Sequence, residues 1–584
     1  MSLIDQQRER DGQLSLIRPQ TAEKAQDSVH LSIPRKVPLY TRLVPLDAWV
    51  GDVTGNAAKM AAEMAQAERD GVELLVFPEL ALSGYPPEDL LYRQDFLDTC
   101  KTELSRLVEL SGGTATIIGH PEQDADGRLY NALIVARNRE VIGSYRKQHL
   151  PNYGVFDEQR YFTSGHGVSV IDIDGQRVGL TICEDIWADG NPISGMKAHG
   201  ADLVVNISAS PYHRGKGGER IKLLADRAAE AGCPIAYCNI LGGQDELVFD
   251  GHCAVVTAAG EVVAELPPFV ADATGDAHLN WSEHHPEHQP ALDETAEVYA
   301  ALVMSVKDYV TKSGFSGVTL GLSGGVDSAL VFTVAVDALG AENVHPVVMP
   351  SEYSSEGTQG DARELATAAG ADLHELPIAP MLDGYLEALS QEFAGLEQDV
   401  TEENIQARIR GTLLMALSNK FGWLVLACSN RSESSVGYFT VSGGDSTGGF
   451  SPIKDVPKLL VYQLIKWRAD RGDLRVPIDI ITREPSAELK PDQVDSDSLP
   501  PYEILDPILE AYLEKNMDAA DIVAAGFDPA VVKRILRLVQ IAEYKRRQAP
   551  PGPKITIKAF GRDRRMPIAN QFISWSSLDQ DTRS

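Results

Sequence analysis

An eight-residue stretch of mostly small residues between a strand and a helix constrains this chain more than any other feature. It reads Gly-Leu-Ser-Gly-Gly-Val-Asp-Ser over residues 321–328. The run 318–320 predicts the end of a buried strand before it, and the apolar run 329–339 predicts a helix that Gly340 ends. A strand that turns through glycines into a helix directs free backbone N–H groups and the positive end of the helix dipole at one place. That place favours an anion, typically a phosphate.

Two well-known phosphate-binding loops differ from this octet. It has no Gly-Lys-Ser/Thr, as a Walker loop would, and it lacks the third glycine of the dinucleotide fingerprint. It resembles instead the SGGxDS pyrophosphate loop of the N-type ATP pyrophosphatases, which activate a carbonyl or carboxylate as an adenylate. The alternative interpretation is an ordinary glycine turn between a strand and a helix. The resemblance implies ATP binding by all eight residues: Gly321, Leu322, Ser323, Gly324, Gly325, Val326, Asp327 and Ser328.

Asp327 is the one acidic residue in the octet. A carboxylate that faces phosphates requires a metal ion between them, and Mg²⁺ is the ion that accompanies ATP. We therefore expect Asp327 to be a Mg²⁺ ligand.

The length and charge of the chain exclude several classes of protein. With 584 residues it exceeds a single hydrophobic core, so we expect two or more domains. No apolar run approaches the roughly 20 residues that span a bilayer, and the N-terminus lacks an apolar core, so we expect neither a membrane segment nor a secretory signal. Six cysteines without metal-site spacing favour a reducing cytoplasm. A net charge of −31 opposes binding to nucleic acid, whose phosphates require surplus lysine and arginine.

The order of apolar runs and turn signals divides the chain into four segments. We predict an N-terminal extension over residues 1–36, an α/β domain over 37–266, a linker over 267–290 and a second α/β domain over 291–584. Asp-Gly turns between short apolar runs indicate hairpins in the first domain. In the second domain strands alternate with long helices, as in a doubly wound parallel sheet, and residues 521–547 predict a helical tail.

Three histidines in the predicted linker form the pattern HHxxH, at positions 284, 285 and 288. Such a pattern can bind a metal ion, but no cysteine or buried setting accompanies it. A solvated linker is the preferred interpretation.

Three residues of the first domain follow predicted strands and carry chemistry. Cys183 follows a short apolar strand, where a nucleophile can be exposed on a tight turn, although a cysteine in such a place is more often a small core residue. Glu79 also follows a buried strand, and Lys147 lies where a strand gives way to a loop. An ammonium beside a thiol lowers its pKa, and a carboxylate within reach can take up the thiol proton.

The segments around these residues are FPEL, YRKQHLPNYGVFDEQRYF and GLTICEDIW. They resemble the nitrilase (carbon–nitrogen hydrolase) superfamily with its Glu-Lys-Cys triad, which implies an α-β-β-α sandwich and catalytic roles for Glu79, Lys147 and Cys183. Further segments around 206–212 and 242–250 resemble those of glutaminase members of that superfamily. They imply that the amino-acid head of glutamine is bound by Tyr153, Ser210 and Lys216. Glutamine hydrolysis to glutamate and ammonia is the implied half-reaction.

A nitrilase-type amidase fused to an adenylating loop resembles the glutamine-dependent NAD⁺ synthetases, over roughly residues 38 to 570. The resemblance implies that deamido-NAD⁺ is bound by Asn404, Arg408, Glu433 and Lys545. It also implies ATP contacts from Lys458 and Cys428, and Mg²⁺ ligation by Asp327 and Glu433. The loop 485–491 is similar to the family as well, without an assigned contact.

Two segments differ from that family's usual sequence. The family has Thr-Gly-Asn-Lys-Ser-Glu where this chain has residues 428–433, so Cys428 replaces a threonine that hydrogen-bonds ATP better than a thiol does. Residues 440–445 are one residue longer than the usual Thr-Leu-Tyr-Gly-Asp and lack its aromatic side chain.

The expected activity is therefore ATP-dependent amidation of deamido-NAD⁺ with ammonia from L-glutamine. We expect no tightly bound organic cofactor, and a homo-oligomer by analogy. One alternative is another glutamine-dependent adenylating amidotransferase, such as a GMP or asparagine synthetase, although these carry different glutaminase domains. A nucleotide-sensing module without catalysis is the non-enzymatic alternative, and the intact triad beside Asp327 and Glu433 argues against it.

Overall fold

The structure is a computed structural model that describes residues 38–190, 192–270, 278–282, 292–486 and 488–573, except 491, 492, 494 and 498, together with 575 and 578. The predicted extension 1–36, the histidines of the HHxxH pattern and parts of the loop 485–491 lie outside the described residues. Among the described residues, no helix has both the length and the apolar character needed to cross a bilayer.

The first half of the chain forms two six-stranded sheets and a separate hairpin. Its strands are β1 (Thr41–Leu43), β2 (Leu74–Val76), β3 (Ala115–Gln123), β4 (Leu129–Arg137), β5 (Glu140–Arg146), β6 (Ser169–Ile173), β7 (Gln176–Ile182), β8 (Leu203–Ser208), β9 (Ile235–Asn239), β10 (Leu241–Gln244), β11 (Leu247–Asp250), β12 (Ala254–Val256), β13 (Val262–Glu265) and β14 (Leu279–Trp281). Its helices are α1 (Val53–Arg69), α2 (Gln94–Leu110), α3 (Glu184–Trp187), α4 (Ile193–Met196) and α5 (Lys216–Ala231).

The two sheets pack face to face between helices. One sheet has the order β14-β1-β2-β3-β4-β5 and the other the order β13-β12-β9-β8-β7-β6. Apolar side chains of both sheets, such as Val76 and Val205, share one buried cluster. The outer face of the first sheet packs against α1 and α2, and that of the second packs against α4 and α5. The predicted α-β-β-α sandwich is confirmed, and so are the hairpins at the two Asp-Gly turns, β3–β4 and β6–β7.

The second half contains a four-stranded sheet with helices on both faces. Its strands are β15 (Val318–Gly321), β16 (Val344–Val348), β17 (His374–Glu375) and β18 (Leu424–Val425). Its helices are α6 (Glu294–Lys312), α7 (Val326–Leu339), α8 (Glu356–Ala369), α9 (Ala379–Leu389), α10 (Val400–Phe421), α11 (Arg431–Val436), α12 (Lys458–Asp470), α13 (Ile478–Thr482), α14 (Tyr502–Leu513), α15 (Ala519–Ala524), α16 (Pro529–Ile541) and α17 (Glu543–Arg546).

All pairs in this sheet are parallel, in the order β17-β16-β15-β18. Helices α6, α7 and α12 cover one face, and α9 and α10 cover the other. This confirms the predicted doubly wound parallel sheet. Because β15 and β18 end at the same edge, the segments that follow them meet there, which is where such folds bind ligands.

Two segments differ from the sequence-based boundaries. Leu279–Trp281, within the predicted linker 267–290, forms β14 and pairs antiparallel with β1. Leu279 and Trp281 are buried, and pairing satisfies the backbone of this short stretch, so it belongs to the first sheet although polar residues surround it in the sequence. The helical tail 521–547 is divided among three helices, because the side chain of Asp528 caps the start of α16 and Pro529 occupies its first turn.

The hairpin β10–β11 and helix α6 join the two halves. The carboxylate of Asp308 in α6 accepts a hydrogen bond from the N–H of Gly243 at 2.5 Å. Lys312, one turn later, pairs with Asp47 at 2.7 Å. The N–H of Lys554 near the end of the chain donates to the carbonyl of Glu246 at 2.8 Å. The hairpin is thus held by both ends of the second half.

Candidate active sites

Cys183 occupies a sharp turn at the end of β7. Its backbone has φ 43° and ψ −102°, a conformation that non-glycine residues rarely adopt. Its N–H donates to the carbonyl of Ile207 at 2.8 Å, which fixes the turn against β8. The residue is 3% exposed and precedes α3 directly. Strained backbone at a strand-to-helix turn is typical of a positioned nucleophile.

Glu79 and Lys147 form a fully buried ion pair near this turn. Lys147 Nζ lies 2.7 Å from Glu79 Oε1, and both side chains are 0% exposed. Asn131 donates a second hydrogen bond to Glu79 Oε1 at 2.7 Å, and the N–H of Ala209 donates to Oε2 at 2.8 Å. Because β2 and β5 end at the same edge of the first sheet, the two predicted residues are brought together as expected.

Glu158 is a further ionisable residue of this site, which the sequence analysis did not select. Its Oε1 accepts hydrogen bonds from Lys147 Nζ at 2.8 Å and from the hydroxyl of Tyr85 at 2.9 Å. Burial raises the pKa of Glu158 to about 7, although the neighbouring Lys147 lowers it. The residue lies within the quoted segment YRKQHLPNYGVFDEQRYF, but nothing in the sequence distinguishes it from the adjacent Asp157.

The protonation of the triad differs from the expectation of a lysine-activated thiolate. Burial and the Glu79 carboxylate raise the pKa of Cys183 well above its ordinary value, and Lys147 opposes this only in part. Burial alone would lower the pKa of Lys147, but the two carboxylates beside it raise that pKa well above normal. Cys183 therefore rests as a thiol beside the Lys147 ammonium, and any attack by its sulfur would require the loss of the thiol proton.

The octet 321–328 lies at the carboxyl end of β15, as predicted. The hydroxyls of Ser323 and Ser328 are 3.1 Å apart, and the N–H of Gly325 donates to Ser323 Oγ at 3.3 Å. Gly324 has φ 83°, and a Cβ at that position would lie 2.0 Å from the carbonyl oxygen of Thr358 in α8. Only glycine therefore allows this close approach, which keeps the loop open towards a ligand.

Two of the eight residues face the protein interior. Leu322 is 1% exposed and its N–H donates to the carbonyl of Val347 at 2.9 Å. Val326, the first residue of α7, is 4% exposed and packs into the hydrophobic core. These two apolar side chains anchor the loop to the hydrophobic core.

Asp327 and Glu433 converge on the ammonium of Lys458. Lys458 Nζ pairs with Asp327 Oδ2 and lies 3.1 Å from Glu433 Oε1, and its side chain is 2% exposed. Asn430 Nδ2 donates to Asp327 Oδ1 at 2.9 Å. Burial raises the pKa of Glu433 to about 8, although Lys458 lowers it. Burial alone would lower the pKa of Lys458, but the two carboxylates outweigh it and raise that pKa. The cluster beside the octet is thus built to hold a cation between carboxylate oxygens.

Comparison with known proteins agrees with both halves of this geometry. Residues 41–282 match the carbon-nitrogen hydrolase family model, and residues 298–549 match the NAD synthase model. The glutamine-dependent NAD(+) synthetase of Thermotoga maritima is 43% identical over 572 residues, which cover 91% of this chain and 99% of that protein. That of Xylella fastidiosa is 45% identical over 543 residues, with coverages of 91% and 98%.

A solved structure shows the same likeness. The glutamine-dependent NAD⁺ synthetase from Acinetobacter baumannii, in complex with ADP, is 41% identical, with a TM-score of 0.74 and coverages of 91% of this chain and 98% of that one. This chain belongs to the glutamine-dependent NAD⁺ synthetase family.

Two of the glutamine-binding residues predicted for this NAD⁺ synthetase family member lie around Cys183. The hydroxyl of Tyr153 donates to Glu184, the residue after Cys183, at 2.9 Å, while the tyrosine ring is 59% exposed. Lys216 Nζ lies 3.7 Å from the centre of the Trp187 ring, a cation–π contact. Burial lowers the pKa of Lys216, whereas negative charge on the nearby Cys183 sulfur would raise that pKa. Both side chains stand at the rim of the nucleophile's turn.

Ser210, the third of these residues, is held through its backbone. Its N–H donates to Asn239 Oδ1 at 2.8 Å, and Asn239 Nδ2 donates to Asp250 at 2.7 Å. Asp250 in turn forms a fully buried ion pair with Arg220 at 2.8 Å. This network fixes the segment that follows β8. That segment also contains Ala209, whose N–H donates a hydrogen bond to Glu79.

Cys428 lies at the end of β18, beside the octet. It is 7% exposed, its Sγ is 4.0 Å from the carbonyl oxygen of Gly321, and burial raises its thiol pKa. Its N–H donates to the carbonyl of Asp445 at 2.8 Å, which places the longer segment 440–445 directly over the strand end. The substitution of cysteine for threonine thus falls at the boundary of the octet.

Asn404 and Lys545 approach one short segment, residues 437–440, from two sides. Thr440 Oγ1 and Asn404 Oδ1 are 2.6 Å apart. Lys545 Nζ donates to the carbonyls of Gly437 and Phe439 at 2.8 and 2.9 Å. The predicted dinucleotide residues of α10 and α17 therefore meet across the segment that follows α11.

Arg408 lies one turn after Asn404 on α10 and is exposed. Burial lowers the pKa of Lys545, and the charge of Arg408 acts in the same direction, so the two cations lie within electrostatic reach. Two cationic side chains beside residues 437–440 would suit a substrate that carries phosphates.

Proposed function

We propose that this chain converts deamido-NAD⁺ to NAD⁺ at the expense of ATP and L-glutamine. The observation that supports the proposal most strongly is the presence of two complete sites in one chain. Glu79, Lys147 and Cys183 supply the groups for amide hydrolysis, and the octet 321–328 with Lys458 supplies those for adenylation. Family membership gives the substrates, since the related proteins carry the name of glutamine-dependent NAD⁺ synthetase.

In the proposed glutaminase reaction, Cys183 Sγ attacks the amide carbon of glutamine. Its proton passes to Glu79, whose two oxygens both accept hydrogen bonds, and the oxyanion forms beside the Lys147 ammonium. The tetrahedral intermediate then expels ammonia, which takes up the proton from Glu79, and leaves a thioester on Cys183. Water hydrolyses the thioester to glutamate and restores the thiol.

In the proposed synthetase reaction, an oxygen of the nicotinate carboxylate attacks the α-phosphorus of ATP. Diphosphate leaves towards the octet, where backbone N–H groups and the hydroxyls of Ser323 and Ser328 face it. Ammonia then attacks the acyl carbon of the adenylate, and AMP leaves. Lys458 is placed to stabilise negative charge next to Asp327. Asn404, Arg408 and Lys545 are proposed to hold the dinucleotide.

Mg²⁺ fits the cluster of Asp327 and Glu433. Both carboxylates contact Lys458 Nζ, so they lie close enough together to share one cation, and oxygen ligands are those that Mg²⁺ prefers. We propose that the two carboxylates hold Mg²⁺ together with ATP, and the ion would then neutralise charge on the departing diphosphate. No organic cofactor is part of the proposal. We also expect the chain to form a homo-oligomer, which light scattering measures directly.

The substrate is tested by the release of AMP. The purified chain with ATP, Mg²⁺ and glutamine should release AMP and form NAD⁺ when deamido-NAD⁺ is added. It should release no AMP with xanthosine monophosphate or aspartate, the acceptors of other adenylating amidotransferases. AMP release with either of those acids, and none with deamido-NAD⁺, would refute the proposed function.

A further inference from the structure

Two histidines and an aspartate form a compact cluster at the edge of the parallel sheet, away from both active sites. His345 lies in β16, His374 begins β17, and Asp372 precedes it by two residues. One donor atom from each residue lies within 4.8 Å of the other two. None of the proposed reactions uses these three side chains.

The parallel pairing of β16 and β17 brings these residues together. Val347 pairs with His374, so the same register carried back by two residues places Asp372 beside His345. Residues two apart on a strand share a face of the sheet. The three side chains therefore project from one face, and the cluster follows from the backbone rather than from chance contacts of long side chains.

The two imidazoles have nitrogens without a hydrogen bond. His345 Nδ1 and His374 Nε2 are both buried atoms, and neither forms a hydrogen bond with any of the described residues. A buried polar atom without a partner carries a desolvation cost, which a ligand would remove. His374 Nε2 lies 3.9 Å from Asp372 Oδ2, so a carboxylate is already near one of them.

An aromatic stack fixes the orientation of the first histidine. The His345 ring lies 3.6 Å from the Trp423 ring at an interplanar angle of 14°, and Trp423 stacks on Phe421 at 4.5 Å. A ring held in a fixed orientation, with a nitrogen that makes no hydrogen bond to the described residues, is suited to bind a metal ion.

The geometry points to a Zn²⁺ site formed by His345, Asp372 and His374, in which the ion ties the edge strand β17 to β16. Two imidazole nitrogens and one carboxylate oxygen are a donor set for Zn²⁺ rather than for Mg²⁺, which requires oxygen ligands. Ligands of a tetrahedral Zn²⁺ at roughly 2.1 Å lie roughly 3.4 Å apart, so the cluster must contract by about 1 Å. The Asp372 side chain is 79% exposed and can rotate to meet this requirement. A water molecule would complete the four ligands.

Binding of the ion is expected to stabilise the edge strand β17 against β16. β17 has two residues and, among the strands that the structure describes, pairs only with β16, so few backbone hydrogen bonds hold it. A bridge between His345 on one strand and His374 on the other would add a cross-link at the edge. The site lies outside the segments that follow β15 and β18, so it stabilises the sheet without contact to the ATP-binding octet.

Zn²⁺ titration of tag-free protein stripped with a chelator tests the site. All proteins carry His284→Gln, His285→Gln and His288→Gln, so that the sequence cluster in the linker does not contribute. This background should bind one more equivalent of Zn²⁺ than the same background with His345→Gln and His374→Gln. Equal stoichiometry and equal affinity of the two proteins would overturn the proposal.

Two further variants separate a lost ligand from a damaged fold. Asp372→Asn changes an exposed side chain and should weaken Zn²⁺ binding by at least about tenfold, since even the loss of an outer-shell partner costs about 10–100-fold. His199→Gln is the matched control, because His199 is exposed and its Nδ1 already faces the carbonyl of Gly195 at 2.8 Å. It should bind Zn²⁺ as the background does. Unchanged affinity in Asp372→Asn would remove the aspartate from the site and refute the proposed donor set.

A spectroscopic measurement locates the bound ion. Co²⁺ replaces Zn²⁺ in such sites and quenches nearby indole fluorescence, and Trp423 is stacked directly on His345. Saturating Co²⁺ should therefore quench a component of the fluorescence that Trp423→Phe lacks. If quenching is the same in both proteins, the ion binds elsewhere and the proposal fails.

Discussion

Replacement of Glu79 by glutamine is the most informative change in the first site, because it keeps the shape of the side chain and removes the carboxylate that we propose as the general base. Neither orientation of the glutamine amide can satisfy all the hydrogen-bond donors around it. Glu79 Oε1 accepts from Lys147 and Asn131, each at 2.7 Å, and Oε2 accepts from the N–H of Ala209 at 2.8 Å. Whichever way the amide turns, its NH₂ group faces at least one donor. We expect the variant to be destabilised by about 1–3 kcal/mol, the usual cost of an unpaired buried polar group.

The catalytic loss should be larger than this structural cost. Because burial raises the pKa of the Cys183 thiol well above its ordinary value, the proposed attack on glutamine would depend on proton transfer to Glu79. General base catalysis is typically worth about 10²–10⁴-fold, or about 2.7–5.4 kcal/mol of activation free energy. Glu79→Gln should therefore release glutamate about 10²–10⁴-fold more slowly, while NAD⁺ formation from added ammonium salt stays near the wild-type rate.

Glutamate release at saturating glutamine measures this effect, and thermal unfolding of the same sample measures the loss of stability. Glu122→Gln is the matched control. Its carboxylate pairs with Arg146 at 2.5 Å, one residue before Lys147, but it belongs to the surface of the same domain. It should keep the wild-type rate. If Glu79→Gln retained more than about a tenth of the wild-type rate while it remained folded, Glu79 would not be the base.

Two further predictions concern the groups that support the sites. Glu158 has a pKa of about 7, so below that pH it gains a proton and its attraction for Lys147 weakens. Glutamate release should therefore fall on the acid side with an apparent pKa near 7. A pH–rate profile of Glu158→Gln should show no such inflection. Gly324→Ala places a Cβ 2.0 Å from the carbonyl oxygen of Thr358 at a φ of 83°. The resulting strain of about 1–3 kcal/mol should slow ammonium-dependent AMP release by about 5–150-fold. The control Gly360→Ala in α8, which has open space at its Cβ, should leave the rate of AMP release unchanged. A flat profile in the wild type, or equal rates for the two alanine variants, would contradict these assignments.

Residues at the ends of strands could be predicted from the sequence, because short apolar runs reveal buried strands. Cys183 directly follows β7, Glu79 lies three residues after β2, and Asp327 lies in the first turn of α7, which follows β15. The Asp-Pro pair at 528–529 also carries a local signal, a helix N-cap followed by a proline in the first turn. The division of the helical tail was therefore within reach of the sequence.

The partners of these residues could not be predicted, because they depend on contacts between distant segments. Glu158 meets Lys147 through a loop that folds back after β5, and no local pattern marks it among the acidic residues nearby. The convergence of Lys458 with Asp327, 131 residues earlier in the chain, likewise requires the packing of α12 on α7. Strand β14 was missed because it has only three residues within a polar segment and becomes a strand by pairing with β1.

The central claim is that Cys183 serves only to make ammonia, which the second half of the chain then uses. NAD⁺ formation by Cys183→Ala, measured side by side with glutamine and with ammonium salt as the nitrogen source, tests it most directly. The variant should form no NAD⁺ with glutamine and should form it at the wild-type rate with ammonium. Normal use of glutamine by Cys183→Ala, or loss of synthesis from both nitrogen sources in a folded variant, would contradict the claim.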